Sequence, residues 1–299
     1  MSCLFPRNVT VKKLNGGFIK IPAPCGKCPE CLKRIRQEWF IRNSIEVENS
    51  INAFFITLTY NDEHLPLSLS NRQPCFSVRD IQLFLKRFRK RLQCTDFKYF
   101  IASEYGGQFG RPHYHGLFYN IPHEKVSTLS NLLAETWRNG FVSCSNVSAR
   151  RINYVCKYML QKTQRKKDFA SPDLAPFYLA SRRPAIGSSY LSYNNICYHL
   201  GNKTTKLNLH GINYQLPQYY KRKIFDGYEH IKEEIRNDYL SQIHVDWLNA
   251  NRTDEEFHKN SQLFFIQRKN SLQRFKKYSK EKLASSLTAK WIDEHLKYN

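Results

Sequence analysis

His113 and His115 stand two residues apart in the run Arg111-Pro112-His113-Tyr114-His115-Gly116-Leu117-Phe118-Tyr119. The apolar and aromatic residues around them predict a buried strand, and its period-two alternation puts both imidazoles on one face. That is a metal-ligand geometry. Tyr99 to Glu104 is also strand-like, and Tyr105-Gly106-Gly107-Gln108-Phe109-Gly110 supplies the glycines of a hairpin connection. An antiparallel pairing across that turn would bring Glu104 beside the histidines. Two imidazoles and a carboxylate leave open positions on a divalent ion, where a phosphate oxygen could be polarised. Taken alone, the two histidines are as readily a satisfied pair on a strand. Downstream, Tyr154 to Lys162 reads as helix, and Tyr154 and Tyr158 fall on one helical face, about 5–6 Å apart at Cβ. Both phenols could face one metal site in turn, with Lys157 and Lys162 beside them. Core packing is the alternative role for such a pair.

These elements, together with Phe55-Ile56-Thr57-Leu58-Thr59-Tyr60, resemble the three ordered motifs of the HUH endonucleases. The resemblance is to the rolling-circle replication initiators of the Microviridae, and especially their gokushovirus branch. It extends to Pro24-Cys25-Gly26-Lys27-Cys28-Pro29-Glu30-Cys31, Ser181-Arg182-Arg183-Pro184-Ala185-Ile186-Gly187 and Leu216-Pro217-Gln218-Tyr219-Tyr220, and stops near residue 225. Order, spacing and number of motifs carry it. It implies an HUH palm and a site in which His113, His115 and Glu104 hold Mg²⁺ or Mn²⁺. Tyr154 or Tyr158 would attack the scissile phosphate of an origin, giving a 5′-phosphotyrosine and a free 3′-OH, and the second tyrosine would close the cycle. The family favours a basic residue where this chain has Gln161, so Lys162, one position later, and Lys157 are the candidates for the assisting lysine. A neutral phenol, with an ordinary pKa of about 10, is a weak nucleophile and needs such help. The implied partners are single-stranded and supercoiled origin DNA, a host helicase and a host DNA polymerase, in the cytoplasm of a bacterial host. Two other readings stay open: a plasmid initiator, relaxase or transposase of the same superfamily, and a non-enzymatic, zinc-stabilised DNA-binding protein.

The composition agrees with an anionic partner. Forty-seven Lys and Arg against 25 Asp and Glu give +22 over 299 residues. Such an excess attracts phosphate backbones or anionic lipid. No apolar run approaches the length of a membrane span, and Met1 to Lys20 lacks the apolar core of a signal peptide, so the expectation is nucleic acid in a cytoplasm and no membrane. Nine cysteines, an odd number, argue against a disulfide framework. Cys25, Cys28 and Cys31 are evenly spaced after a Pro-Cys-Gly turn, and Cys3 could fold back onto them to close a tetrahedral structural zinc site. Packed reduced thiols or a redox cluster are the alternatives.

The elements that must position these residues read as an α+β chain in four segments: 1–50, Cys-rich with a basic helix from about Cys31 to Ser50; 51–165, the core; 166–226, a basic and aromatic extension; 227–299, helical. Within the core, Ala53 to Tyr60 alternates as a central strand whose Thr57 and Thr59 face could look toward the site. Ser77 caps a helix with an apolar stripe at Val78, Ile81, Leu85, Phe88 and Leu92 and a cationic face of Lys86, Arg87, Arg89, Lys90 and Arg91. That face is either solvated or neutralises DNA phosphates; Arg111, Arg150, Arg151, Arg182 and Arg183 are further candidate phosphate contacts. Pro122 to Trp137 reads as a second helix and Gly140 to Val147 as a strand. The order predicts an antiparallel sheet with a split βαβ (ferredoxin/RRM-like) arrangement, helices on one face and the tyrosine helix against the other. Residues 163–226 read as irregular, with tyrosines among cations that suit single-stranded DNA or glue the extension to the palm.

Overall fold

Alternating burial along the strands builds a sheet with two working faces. A computed structural model describes residues 3, 5–12, 16–106, 110–159 and 172–249. The chain divides into two units, residues 1–31 with 193–299, and residues 32–192. In chain order the elements are β1 (Arg7–Lys12), β2 (Phe18–Ala23), α1 (Pro29–Glu48), β3 (Ala53–Thr59), α2 (Val78–Leu92), β4 (Lys98–Tyr105) and β5 (Pro112–Tyr119). There follow α3 (His123–Val126), α4 (Leu129–Trp137), β6 (Val142–Asn146), α5 (Ala149–Met159), β7 (Tyr178–Ala180), α6 (Tyr193–Gly201), β8 (Lys206–Leu209), β9 (Ile212–Gln215), α7 (Gln218–Ile224) and α8 (Glu229–Asn249).

The second unit carries a five-stranded sheet in the order β6-β3-β5-β4-β7, every neighbouring pair antiparallel. β3 and β4 therefore run parallel to each other with β5 inserted between them, the split arrangement the element order predicts. On the first face Ile56, Leu58 and Tyr60 of the β3 segment, Ile101 of β4 and Tyr114 and Phe118 of β5 pack against α2 and α4. Ser77 caps α2 as expected, its Oγ accepting from Asp80 N at 3.1 Å. The buried stripe of α2 is Ile81, Phe84, Leu85, Phe88 and Leu92; Val78, at the helix start, is 39% exposed. The second expected helix is in fact two, α3 and α4, interrupted at Ser127 and Thr128.

The second face is not left to the tyrosine helix alone, contrary to the expectation of helices on one face. Phe100, Ala102, Leu117 and Tyr119 meet Ile152, Val155 and Cys156 of α5, but also Ile35, Trp39 and Phe40 of α1. Trp39 lies 4.8 Å from Phe100 between ring centroids, and Tyr119 donates to Asn43 Oδ1 at 2.8 Å. α1 mixes apolar and cationic residues, and only tertiary packing decides which sheet face its apolar side covers. Its Arg42 is drawn into structure as well, donating twice to Ile186 O at 3.0 and 2.9 Å. At the centre Gly116 is required by close approach, because a Cβ there would stand 2.9 Å from Ile56 Cγ1 and 3.2 Å from Ile101 Cγ1.

In the first unit β1 and β2 form a hairpin. The stretch read as irregular holds order instead: β7 in the sheet, then α6, the β8–β9 hairpin and α7. His210 and Gly211, with φ of 52° and 78°, make the two-residue turn that such a hairpin favours. These elements are too short for periodicity to show. α8 matches the first predicted C-terminal helix, whereas the second lies outside the described residues. No helix among the described residues is long and apolar enough to cross a membrane.

Candidate active site

The β4–β5 register sets the site. Glu104 pairs with His113 and Ala102 with His115, so the carboxylate and both imidazoles share the second face, at the end of the sheet where β3 finishes. His115 is 8% exposed and held from two sides. Its Nε2 is 2.9 Å from Glu104 Oε2 and its Nδ1 is 3.1 Å from Thr57 Oγ1. The carboxylate can only accept at neutral pH, so Nε2 carries the proton. The Phe55 ring is stacked on His115 at 5.7 Å. His113 lies alongside, nearly parallel, 6.4 Å between centroids. Its Nδ1 is 2.7 Å from Arg111 O and must donate to it, which leaves Nε2 with a lone pair for a ligand. Gly106 permits that placement, since a Cβ would come within 2.7 Å of His113 Cε1.

Helix α5 brings both tyrosines to this corner. Tyr154 donates to Glu104 Oε2 at 3.1 Å, and its ring is 5.1 Å from His115 and 4.7 Å from Tyr158. Tyr158 stands 6.0 Å from His115. Burial, opposed by the contact with Tyr158 and reinforced by the Glu104 carboxylate, raises the Tyr154 phenol above its ordinary range. Burial, Tyr154 and Glu104 push Tyr158 up in the same way. Both nucleophile candidates are thus neutral, and one carboxylate serves both phenols and His115. Arg36 of α1 clamps the outer side of α5, donating to Asn153 Oδ1 at 2.9 and 2.6 Å. Neither this clamp nor the Phe55 stack was foreseen; Phe55 shares the parity of Thr57, which was the available signal.

The basic candidates divide by task. Lys157 is exposed on α5, its Nζ 5.6 Å from the Tyr158 ring centroid; Lys162 lies outside the described residues. Arg151 sits 5.5 Å over the Phe55 ring and donates to Asn146 O, and Arg150 is exposed beside it. Arg111 is structural, pairing with Asp62 at 2.6 Å and donating to Tyr60 O at 2.9 Å. The α2 cations sit with that helix on the opposite face of the sheet from the histidines. Lys86 and Lys90 are exposed, Arg89 lies over Phe97 and Tyr99, and Arg91 pairs with Glu135. Arg87 instead donates to Thr136 O at 2.7 Å and Trp137 O at 3.2 Å, satisfying the open carbonyls at the end of α4. Arg182 and Arg183 follow β7, near the Lys98 end of β4, roughly 13 Å or more along the strand from Glu104.

In the first unit, Cys3, Cys25, Cys28 and Cys31 offer four sulfurs within 4.8 Å of one another. Cys25 N donates to Cys3 Sγ at 3.2 Å. Burial disfavours a Cys25 thiolate, yet N–H groups of Lys27 and Cys28, at 3.4 and 3.3 Å, bring that thiol down to about 7. The donor set is one that a metal such as zinc accepts.

An antiparallel α+β sheet with histidines, a carboxylate and paired tyrosines at one end defines the class, and residues 53–164, which contain all of it, match the family described as replication-associated protein ORF2. The chain is 28% identical over 235 residues to replication-associated protein ORF2 of Spiroplasma virus 4, covering 73% of this chain and 72% of that protein. It is 29% identical over 199 residues to replication-associated protein VP4 of Bdellovibrio phage phiMH2K, covering 60% and 61%, and 25% identical over 224 residues to replication-associated protein ORF4 of Chlamydia phage 1, covering 67% and 53%. The chain is a relative of these phage replication-associated proteins, as its motifs implied. No solved structure matches it.

The placement of Arg87 has a direct consequence. Arg87→Ala should lower unfolding free energy by about 1–2 kcal/mol in urea titrations, whereas Lys86→Ala and Lys90→Ala should leave it within about 0.5 kcal/mol. Equal stability of all three variants would contradict the assignment.

Proposed function

We propose that this chain is a phage replication initiator that nicks single-stranded origin DNA through a tyrosine and later rejoins the strand. The observation that carries the reading is the shared Glu104 oxygen, in contact with both Tyr154 and His115. The HUH resemblance and the family of the relatives support it. Tyr154 has a proton acceptor already in place. Its Oη attacks phosphorus, forming a Tyr–O–P bond as the P–O3′ bond breaks. The phenol proton passes along the hydrogen bond to Glu104, and the departing oxygen takes up a proton to become a 3′-OH. One phosphoester replaces another, so attack by a 3′-OH reverses the step without a nucleotide cofactor. Tyr158, on the same helical face, is placed to make the second cut.

Mg²⁺ or Mn²⁺ held by Glu104, His113 and His115 would offset both the phosphorane charge and the carboxylate's suppression of the phenols. The donor set fits: His113 presents Nε2, and His115 can shift its proton to Nδ1, where Thr57 Oγ1 accepts it. Lys157 or Lys162 supplies a further positive charge. The free 3′-OH suits a host polymerase as primer, with a host helicase opening the duplex, in the host cytoplasm.

The test is supercoiled and single-stranded circular DNA carrying origin sequence, with Mn²⁺, Mg²⁺ or chelator, analysed on denaturing gels. Metal-dependent nicking should leave protein attached to DNA, disappear in the Tyr154→Phe, Tyr158→Phe double variant and fall about 100-fold or more in Glu104→Gln. DNA bound but never cut would leave the histidines and tyrosines as packing.

The four cysteines are assigned to structural zinc, closed to substrate because all four positions are thiolates. Native mass spectrometry should find one zinc per chain, lost in Cys28→Ser and retained when His113 and His115 are both changed to alanine. Zinc-free protein with unchanged stability would contradict this.

A further inference from the structure

Phe141 is 74% exposed, yet its backbone is among the most firmly held at the active end of the sheet. Its carbonyl accepts from Thr59 N at 2.9 Å and from Thr59 Oγ1 at 3.4 Å, and Asn139 O accepts from Asn61 N at 2.9 Å. Gly140 makes this possible: a Cβ there would lie 2.4 Å from Thr59 O and 2.5 Å from Asn61 N. A rigid, glycine-dependent strand entry thus presents a large apolar ring to solvent, where it gains nothing for folding.

The ring's face follows from alternation. Val142 and Cys144 pack into the core under α2 and α4, so Phe141 and Ser143 belong to the opposite face, that of the histidines. Phe141 lies beside Thr59, Thr59 pairs with His113, and His113 pairs with Glu104. One row across four strands therefore reads Phe141, Thr59, His113, Glu104. With strands about 4.8 Å apart, Phe141 is about 10 Å from His113. α5 packs on β4 and β5, which leaves the β3–β6 side of this face to Thr57, Thr59 and Ser143, small and partly exposed. Arg151 flanks the strip over Phe55. An aromatic ring, a small polar floor and a flanking cation are what an unpaired nucleotide strand requires.

We propose that Phe141 is a stacking platform for one unpaired base of the DNA strand, next to the phosphate held at the histidines. This deepens the nickase reading by naming how the site selects single-stranded DNA: a paired base has no free face to offer. The ring holds the base, the strand crosses β3, and the phosphate reaches Glu104 and the tyrosines.

Fluorescence anisotropy of the full chain with labelled 20-residue oligothymidine, and with a mixed-sequence strand, tests this. Phe141→Ala should weaken binding about 5- to 150-fold, by the same factor at low and moderate salt, because stacking releases no counterions. Phe141→Trp should restore it and Phe141→Leu should not. With an abasic strand of equal length, wild type and Phe141→Ala should bind alike. Undiminished binding by a folded Phe141→Ala protein, full rescue by leucine, or an equal loss on the abasic strand would overturn the proposal. The outcomes separate from the nickase reading: wild type that nicks while Phe141→Ala binds normally sinks the platform alone. Wild type that binds and never nicks, with the Phe141 pattern intact, sinks the nickase alone, and no binding to either strand sinks the platform whatever the nicking result.

Discussion

A slip of one residue between β4 and β5 would carry Glu104 to the face packed by α2 and α4 and leave the two imidazoles facing Ser103. Register is therefore the constraint on which the site rests. Three local features fix it. Phe100 and Ala102 pack with α5 and α1 while Ile101 packs with α2, so neither face tolerates the exchange. Gly116 fits between Ile56 and Ile101 only in this alignment. Ser103 is tied to Phe177 through backbone and hydroxyl, with bonds of 2.9, 3.0 and 2.7 Å. Apolar packing does the positioning, and the chemistry-bearing residues occupy what the packing leaves.

Charge is distributed by the same logic. A surplus of +22 draws the chain to phosphate, yet several of its cations are committed to the fold: Arg42 to Ile186, Arg87 to the end of α4, Arg111 to Asp62 and Tyr60. The buried Glu46 takes Lys98 at 2.7 Å and accepts from Gly187 N at 2.7 Å. At the active end the local balance is reversed. A single carboxylate, contacted by an imidazole and a phenol, makes a site that keeps its nucleophiles protonated and invites a cation.

Much of this was legible in the chain because it depends on short periods. The His-x-His strand, its glycine-rich connection to Glu104, the Ser77 cap, the four-residue tyrosine spacing and the cysteine spacing all express local geometry. What escaped was tertiary. Nothing in α1 announces which sheet face it covers, and Arg87 reads like its cationic neighbours until α4 is seen ending beside it. β7 and the β8–β9 hairpin are too short for alternation to register. Phe141 looked like one more strand residue, since exposure is invisible before the sheet is assembled.

The central claim is a covalent bond between a tyrosine of α5 and DNA, and one measurement addresses it directly. The product of the chain with single-stranded origin DNA and Mn²⁺ is digested with nuclease and trypsin and mapped by mass spectrometry. Lys157 separates the two candidates into different peptides, Ile152 to Lys157 and Tyr158 to Lys162. The account predicts a nucleotide phosphate on Tyr154, on Tyr158, or distributed between them. A nucleotide attached to any other residue, or strand cleavage that leaves both peptides unmodified, would contradict it.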